Sequence, residues 1–227
     1  MEKRCLAKMS LMGVMVLFTI LFLIFSLGYA EVGVTRDLIK IGTSQDLSGP
    51  SVFYGKGYLQ GMNVFLKSIN EQGGIHGRKI ELVAYDDAYE PSRTVSNFKR
   101  LVYEDKVFCL LQIFGTPNTL ALLPLIEQEK IPLIAPSTSA IQVAIPPKRY
   151  VFPVWPPLPY YGRLMIDYAV SDSKSNSPRV AGIYLDSEFG TQQVEGLMSR
   201  RKSTVLRYSI FNPSSLELLT IPPYSLE

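Results

Sequence analysis

The sequence predicts an α/β fold, a doubly wound parallel sheet with helices on both faces, complete in an N-terminal lobe and begun again in a second. Three observations predict it. Short apolar runs alternate with longer amphipathic ones from residue 38 onward, Gly and Pro punctuate the joins, and the pattern repeats strand then helix at the spacing of parallel crossovers. "LIKIGTS" is the first strand, and it runs into the loop at Gly49. "YLQGMNVFLKSINEQGG" is a helix with Leu59, Met62, Phe65 or Leu66, and Ile69 on one face, ended by Gly73 and Gly74. "KIELVAYDD" is the second strand and "PSRTVSNFKRLVYEDK" the second helix, with Val95, Phe98, Leu101 and Val102 inward. "VFCLLQIF" is the third strand. The third helix opens near "TPNTLALLPLIEQEK", where Thr116 suits the cap and Pro117 the first helical position, and Pro124 is expected to kink or shorten it. "IPLIAP" is the fourth strand.

The Pro-rich stretch "YVFPVWPPLPYYG", Tyr150 to Gly162, breaks this rhythm and suits a crossing between lobes. Beyond it come a helix "YGRLMIDYAV", a polar loop from Ser171 to Pro178, a strand "RVAGIYLD" and a helix "TQQVEGLMSRR". "STVLRYSIF" reads as one more strand, and "NPSSLELLTIPPYSLE" does not read as the end of a domain. The expected division is therefore 1–30, 31–153 for the N-terminal lobe, 154–211 for a partial second lobe, and 212–227 for an irregular tail. Residues 1–30 carry Lys3, Arg4 and Lys8, an apolar run from Leu11 to Leu27, and small residues Gly28 and Ala30. That is the layout of a secretory signal cleaved after Ala30, and the same run is long enough to serve as an uncleaved anchor. In either case the chain from Glu31 onward is exported, to the periplasm or its equivalent.

Composition narrows the function. The formal charge of +3 owes +2 to Lys3, Arg4 and Lys8 less Glu2, so the exported part carries about +1 and makes no electrostatic case for nucleic acid. Of the two cysteines, Cys5 lies in the leader and Cys109 in an apolar strand, which leaves no internal disulfide. The single His76 sits in a Gly-rich turn, so neither a zinc site nor a histidine-based triad has its residues. The stretch "SGPSVFYGKGYLQG" invites a phosphate-cradle reading but misses two templates by one residue each. Five residues, not four, separate Gly49 from Gly55 and Lys56, and Gly61 lies four positions after Gly57 rather than three. Asp86 and Asp87 are the nearest thing to paired carboxylates and read as loop and capping residues. No G-x-S-x-G elbow occurs and no base accompanies Ser48, Ser137 or Ser139, so no catalytic residue, metal or cofactor is assigned.

Ligands of open parallel sheets lie beyond the carboxyl ends of the strands. Those ends carry Asp46 to Ser51 with Tyr54, then Phe114 to Pro117, then Pro136 to Ala140. Hydroxyls, backbone N–H groups and a helix N-terminus at Thr116 share one edge, which suits a small anionic group such as a carboxylate.

The stretches "IKIGTSQDLSGPSVFYGKGYLQGMNVFLKSINEQGGIHGRKIELVAYDDAYEPSRTVSNFKRLV", "FGTPNTLALLPLIEQEKIPLIAPSTSA" and "VAGIYLDSEFG" resemble the periplasmic leucine/isoleucine/valine-binding proteins of ABC importers. The resemblance runs from about Ile39 to about Gly196. It implies a type I periplasmic-binding fold, two α/β lobes closing on an amino acid, and a monomer that serves membrane permease and ATPase subunits. By position, it implies that Tyr54 lies near the ligand and that Thr116 holds the α-carboxylate through its hydroxyl and N–H. It further implies that the segment of Ser137 and Ser139 takes the ammonium and carboxylate, and that Phe189 walls the cleft from the second lobe. Members of the family are longer, and their acidic residue for the ligand ammonium lies in a part of the second lobe that this sequence does not show. On that comparison this chain alone is expected to bind amino acids weakly or not at all and to be prone to aggregation. A membrane-anchored ligand-sensing or interaction domain built on the same lobe is the alternative expectation.

Overall fold

The computed structural model describes residues 31–172, 179–199, 207–212 and 217–220. The leader assigned to 1–30 lies outside these residues. β1 (Leu38–Gln45) pairs in parallel with β2 (Lys79–Asp86) over its whole length and, on its other side, with β3 (Cys109–Leu111). β4 (Leu133–Ile134) and β5 (Val151–Phe152) extend the sheet in parallel, giving the order β2-β1-β3-β4-β5. The order reverses at β1, between β2 and β3, which makes the carboxyl ends of β1 and β3 the topological switch point.

α1 (Val52–Glu71) begins six residues earlier than the run from Tyr58 that its periodicity marks out. Met62 and Leu66 are its buried large side chains, while Phe65 is exposed, so Leu66 rather than Phe65 holds the inward position. Asn70 fastens the helix end to β2: its Nδ2 donates to the Ile80 carbonyl and its Oδ1 accepts the Ile80 N–H, both at 2.7 Å. α2 (Pro91–Lys99) starts on its proline and passes into a π-helical turn, Arg100–Glu104, which turns Leu101 into the core. α3 (Thr116–Glu129) continues through Pro124, which neither ends it nor removes its first turns. Pro124 is exposed, while Leu122, Leu123 and Ile126 are buried in the core. The cap is Gly115 at φ 96°, not Thr116, which is the first helical residue.

One core of Phe98, Leu101, Leu110, Leu122, Ile126 and Leu133 joins α2 and α3 to the middle of the sheet. The third and fourth strands are shorter than their apolar runs because Gln112 and Ala135 take positive φ, 49° and 50°, and bend the chain off the sheet. The Pro-rich crossing begins with a strand, β5, before it leaves the sheet. A short α4 (Ile141–Ala144) precedes it.

The second part contains α5 (Leu158–Asp172) and α6 (Glu188–Ser199), pressed together where Gly162 and Gly196 meet the opposing backbone. β6 (Arg179–Ile183) pairs in parallel with β7 (Arg207–Asn212). β8 (Glu217–Thr220) pairs antiparallel with β7, so the tail expected to be irregular over 212–227 contains a strand. Among the described residues, no helix is long and apolar enough to cross a membrane.

Candidate functional site

A cavity of about 480 Å3 opens at the switch point. Tyr54, Thr116, Ser137, Ser139 and Phe189, the five residues singled out in the sequence, all line it. They arrive on four segments, with Ser137 and Ser139 sharing the loop after β4. Asp46, wholly buried at the end of β1, accepts the N–H groups of Gly49 and Ser51 and so fixes the turn that starts α1 and carries Tyr54. Gly55 presses against the Asp46 backbone: a Cβ there would stand 1.9 Å from the Asp46 carbonyl oxygen. Gly49, where a Cβ would stand 2.3 Å from the Ala88 carbonyl oxygen, and Gly55 therefore serve packing of backbone on backbone.

Thr116 opens α3, so its hydroxyl and the helix N-terminus face the same space. Its Oγ1 lies 2.7 Å from Thr138 Oγ1, and Thr138 Oγ1 accepts the Ala140 N–H at 3.1 Å. With that acceptance, the Thr138 proton can go to Thr116, which leaves the Thr116 proton for a guest. Ser137 is placed by the parallel bridge it makes with Phe114, whose flanks are the Ser137 N–H to the Ile113 carbonyl at 2.9 Å and the Gly115 N–H to the Ser137 carbonyl at 3.4 Å. None of the described residues that line the cavity is charged.

Asp86 and Asp87 at this edge are engaged, like Asp46. Asp86 accepts from the N–H groups of Leu47 and Ala88 and from the Ser48 hydroxyl. Burial raises its pKa, but those hydrogen bonds and the nearby Arg93 outweigh it and hold the group below its ordinary value. Asp87 is not the solvated loop residue expected from sequence. It is buried, accepting from Ser44 Oγ at 2.6 Å, Thr94 Oγ1 at 3.2 Å and the Tyr89 N–H at 2.9 Å. Burial raises its pKa further than these hydrogen bonds lower it.

The structure adds residues that the sequence reading left aside. Tyr89 follows Ala88, both at positive φ of 63° and 50°, and this bend lays its ring on Gly115, where a Cβ would meet Tyr89 Cε2 at 2.6 Å. Phe114 lies 5.7 Å from the Tyr89 ring, 5.6 Å from Tyr58 and 6.3 Å from Tyr54 between centroids. Trp155 comes from the crossing, and Leu185 with Phe189 from the second part. Gln192, almost fully buried, secures that side: its Oε1 accepts the Ile141 N–H at 2.7 Å, and its Nε2 donates to Gln142 and Glu188, each at 2.7 Å. Glu188 also accepts from Gln142 at 2.6 Å, and the hydrogen bonds from Gln142 and Gln192 lower its pKa. The position of β2 at the same sheet edge is the signal that would have drawn attention to Tyr89, while nothing local marks Gln192.

The parallel sheet thus carries a hydroxyl-bearing cleft at its switch point. The chain belongs to the periplasmic binding protein family, which matches residues 38–202. It is 32% identical over 105 residues to an amino acid binding protein of Pseudomonas aeruginosa, a match that covers 46% of this chain and 28% of that one. It is 29% identical over 115 residues to the Leu/Ile/Val-binding protein of Escherichia coli, covering 51% and 31%. Among solved structures, a branched chain amino acid ABC transporter protein of Thermus thermophilus with bound valine superposes with a TM-score of 0.69 at 24% identity, over 78% of this chain and 46% of that one. A fatty acid ABC transporter substrate-binding protein of Thermomonospora curvata gives 0.70 at 22% identity, over 80% and 46%. The fold is therefore the type I periplasmic-binding fold, and the resemblance to leucine/isoleucine/valine-binding proteins holds. This chain spans less than half of each of these four proteins over the matched stretches, as those shares show.

Proposed function

We propose that the protein is an extracytoplasmic solute-binding component of an ABC importer, which captures a branched-chain or related amino acid and passes it, as a monomer, to membrane permease and ATPase subunits. The observation that carries this is the meeting of Tyr54, Thr116, Ser137, Ser139 and Phe189 around one uncharged cavity at the switch point. In this reading the ligand carboxylate lies at the N-terminus of α3, where the Thr116 hydroxyl and the positive end of the helix meet it. Ser137 and Ser139 supply further donors and acceptors, and Tyr54 and Phe189 close over the side chain.

The test is titration of the full chain, purified in mild detergent and shown to unfold cooperatively, with leucine, isoleucine and valine, followed by ligand-detected NMR so that weak binding is seen. Saturable binding at one site is expected. Thr116→Val should weaken it about ten- to a hundred-fold, since a hydrogen bond to a charged group contributes about 1.5–3 kcal/mol. No saturable binding of any small carboxylate by the folded protein, or binding untouched by Thr116→Val, would overturn the proposal.

A further inference from the structure

We infer that the solute held at this site carries an aryl ring beside its carboxylate, so that the cavity selects a flat aromatic side chain over a branched aliphatic one; this rests on the function proposed above. Six of the lining residues are aromatic, Tyr54, Tyr58, Tyr89, Phe114, Trp155 and Phe189, and one, Leu185, is a large aliphatic. None of the six belongs to the buried core, which is built mostly from Leu, Ile and Val. The rings are thus assembled for the cavity and not for the stability of the sheet.

Their arrangement favours flat faces. Phe114 is the hub, with Tyr54 nearly parallel to it at 17°, and Tyr58 and Tyr89 tilted at 45° and 54°. On the other side Trp155 and Phe189 are 51% and 43% exposed, so a large part of each remains for a guest. A ring between these walls gains offset or edge-to-face contacts at centroid separations of about 4.5–7 Å, which a branched aliphatic group of similar area does not. Large aromatic surface left open at the mouth of a polar-bottomed cleft is itself the mark of a binding surface.

The tyrosines add a second element of selection. Burial raises the pKa of Tyr89, and Asp46 and Asp87 raise it further, so its phenol stays neutral. It therefore sets no charge against the ligand carboxylate and keeps an O–H able to meet a polar substituent on a guest ring. The carboxylate itself goes to Thr116 and the start of α3, as in the function proposed above.

Two sources share this chemistry, an aromatic amino acid and an amino-free aryl acid, and four probes separate them: phenylalanine, 3-phenylpropanoate, leucine and 4-methylpentanoate. Each is titrated into the full chain by ligand-detected NMR. At least one aryl probe should bind about ten-fold tighter than its aliphatic counterpart, the gain of a ring contact or two. Comparing phenylalanine with 3-phenylpropanoate tells whether the amino group is recognised. Tyr89→Leu and Trp155→Leu should bring the aryl-to-aliphatic ratio toward one, and Trp155, lying outside the core, provides this test even if the Tyr89 variant does not fold. Aliphatic probes that bind as well as or better than the aryl ones, or a ratio unmoved by Trp155→Leu, would overturn the aryl preference while leaving the proposed function in place. Binding of none of the four by folded protein would overturn the proposed function instead.

Discussion

Gly55 and Gly57 lie two residues apart in α1, yet alanine at the two positions should change stability in opposite directions. A Cβ on Gly55 would stand 1.9 Å from the Asp46 carbonyl oxygen, 2.7 Å from its carbon and 3.0 Å from the Asp46 nitrogen. Non-bonded atoms rest at roughly 3.5 Å, so the helix or the end of β1 would have to move by more than an ångström, and neither is a flexible side-chain tip. Overpacking of this kind costs about 1–3 kcal/mol, and contacts that are all backbone place Gly55→Ala near the top of that range, at about 3 kcal/mol. At Gly57 and Gly61 a Cβ would meet nothing within 4 Å, and both face solvent. There alanine only removes the entropic cost of glycine in a helix, so each substitution should stabilise by about 1 kcal/mol. The assay is urea unfolding of the full chain, with the slope of free energy on denaturant checked to be unchanged. Because Gly55 also seats the turn that carries Tyr54 and Tyr58, its variant should lose ligand binding while Gly57→Ala keeps it. A Gly55→Ala protein within about 0.5 kcal/mol of wild type, a change in the range of ordinary surface substitutions, would refute the account of this helix start.

Asp86 and Asp87, adjacent in sequence, should respond oppositely to pH. The native pKa of Asp87 is raised, so the folded protein holds that proton more tightly than the unfolded one, and stability falls as pH rises from the unfolded value through the native one; for Asp86, lowered, stability is present above the unfolded value and lost as pH falls through the native one. As pH rises above about 4, Asp87→Asn should thus gain on wild type in unfolding free energy, whereas Asp86→Asn should hold a steady deficit that closes only as pH falls below about 4, and a parallel pH profile for the two would contradict the burial assigned to Asp87. Gln192→Ala leaves the half-buried Ile141 N–H without its acceptor and should cost about 1 kcal/mol in denaturant unfolding, with weaker ligand binding because Glu188, next to Phe189, loses a hydrogen bond. Burial pushes the Cys109 thiol up to about 11, so alkylation at pH 8, followed by peptide mass, should be at least about ten-fold slower at Cys109 in folded protein than in urea.

The order of elements was legible because it rests on periodicity and on Gly and Pro punctuation, which act locally. The bounds of the short strands were not. β3 and β4 end at Gln112 and Ala135, which take positive φ although neither is a glycine, and side chains of those types give no warning of it. The choice between Phe65 and Leu66 was left open because both satisfy a helical face within one residue, and the structure resolves it by burying Leu66. Pro124 does not end α3, and it lies on the exposed side; which side of α3 meets solvent is decided by the sheet, not by the helix.

The same division runs through the site. Thr116, Ser137 and Ser139 were legible because parallel strands put their carboxyl ends on one edge, and a hydroxyl in such a loop reaches the cleft over any short distance. Ring direction is a different matter. Tyr89 reaches the cavity because two successive left-handed residues, Ala88 and Tyr89, are held by Asp87 through the Tyr89 N–H, and because Gly115 offers no Cβ against the ring. Each of these conditions joins segments far apart in the chain. Gly115 does leave a trace in the sequence: a glycine directly before Thr116 and Pro117 stands where a capping Ser, Thr, Asn or Asp would be the ordinary choice. Gly115 has φ 96° and ψ 141°, and a Cβ on it would strike Tyr89. A glycine that displaces a favoured cap at a strand end thus points to something packed upon it, and here that is the ring that forms one wall of the proposed ligand cavity.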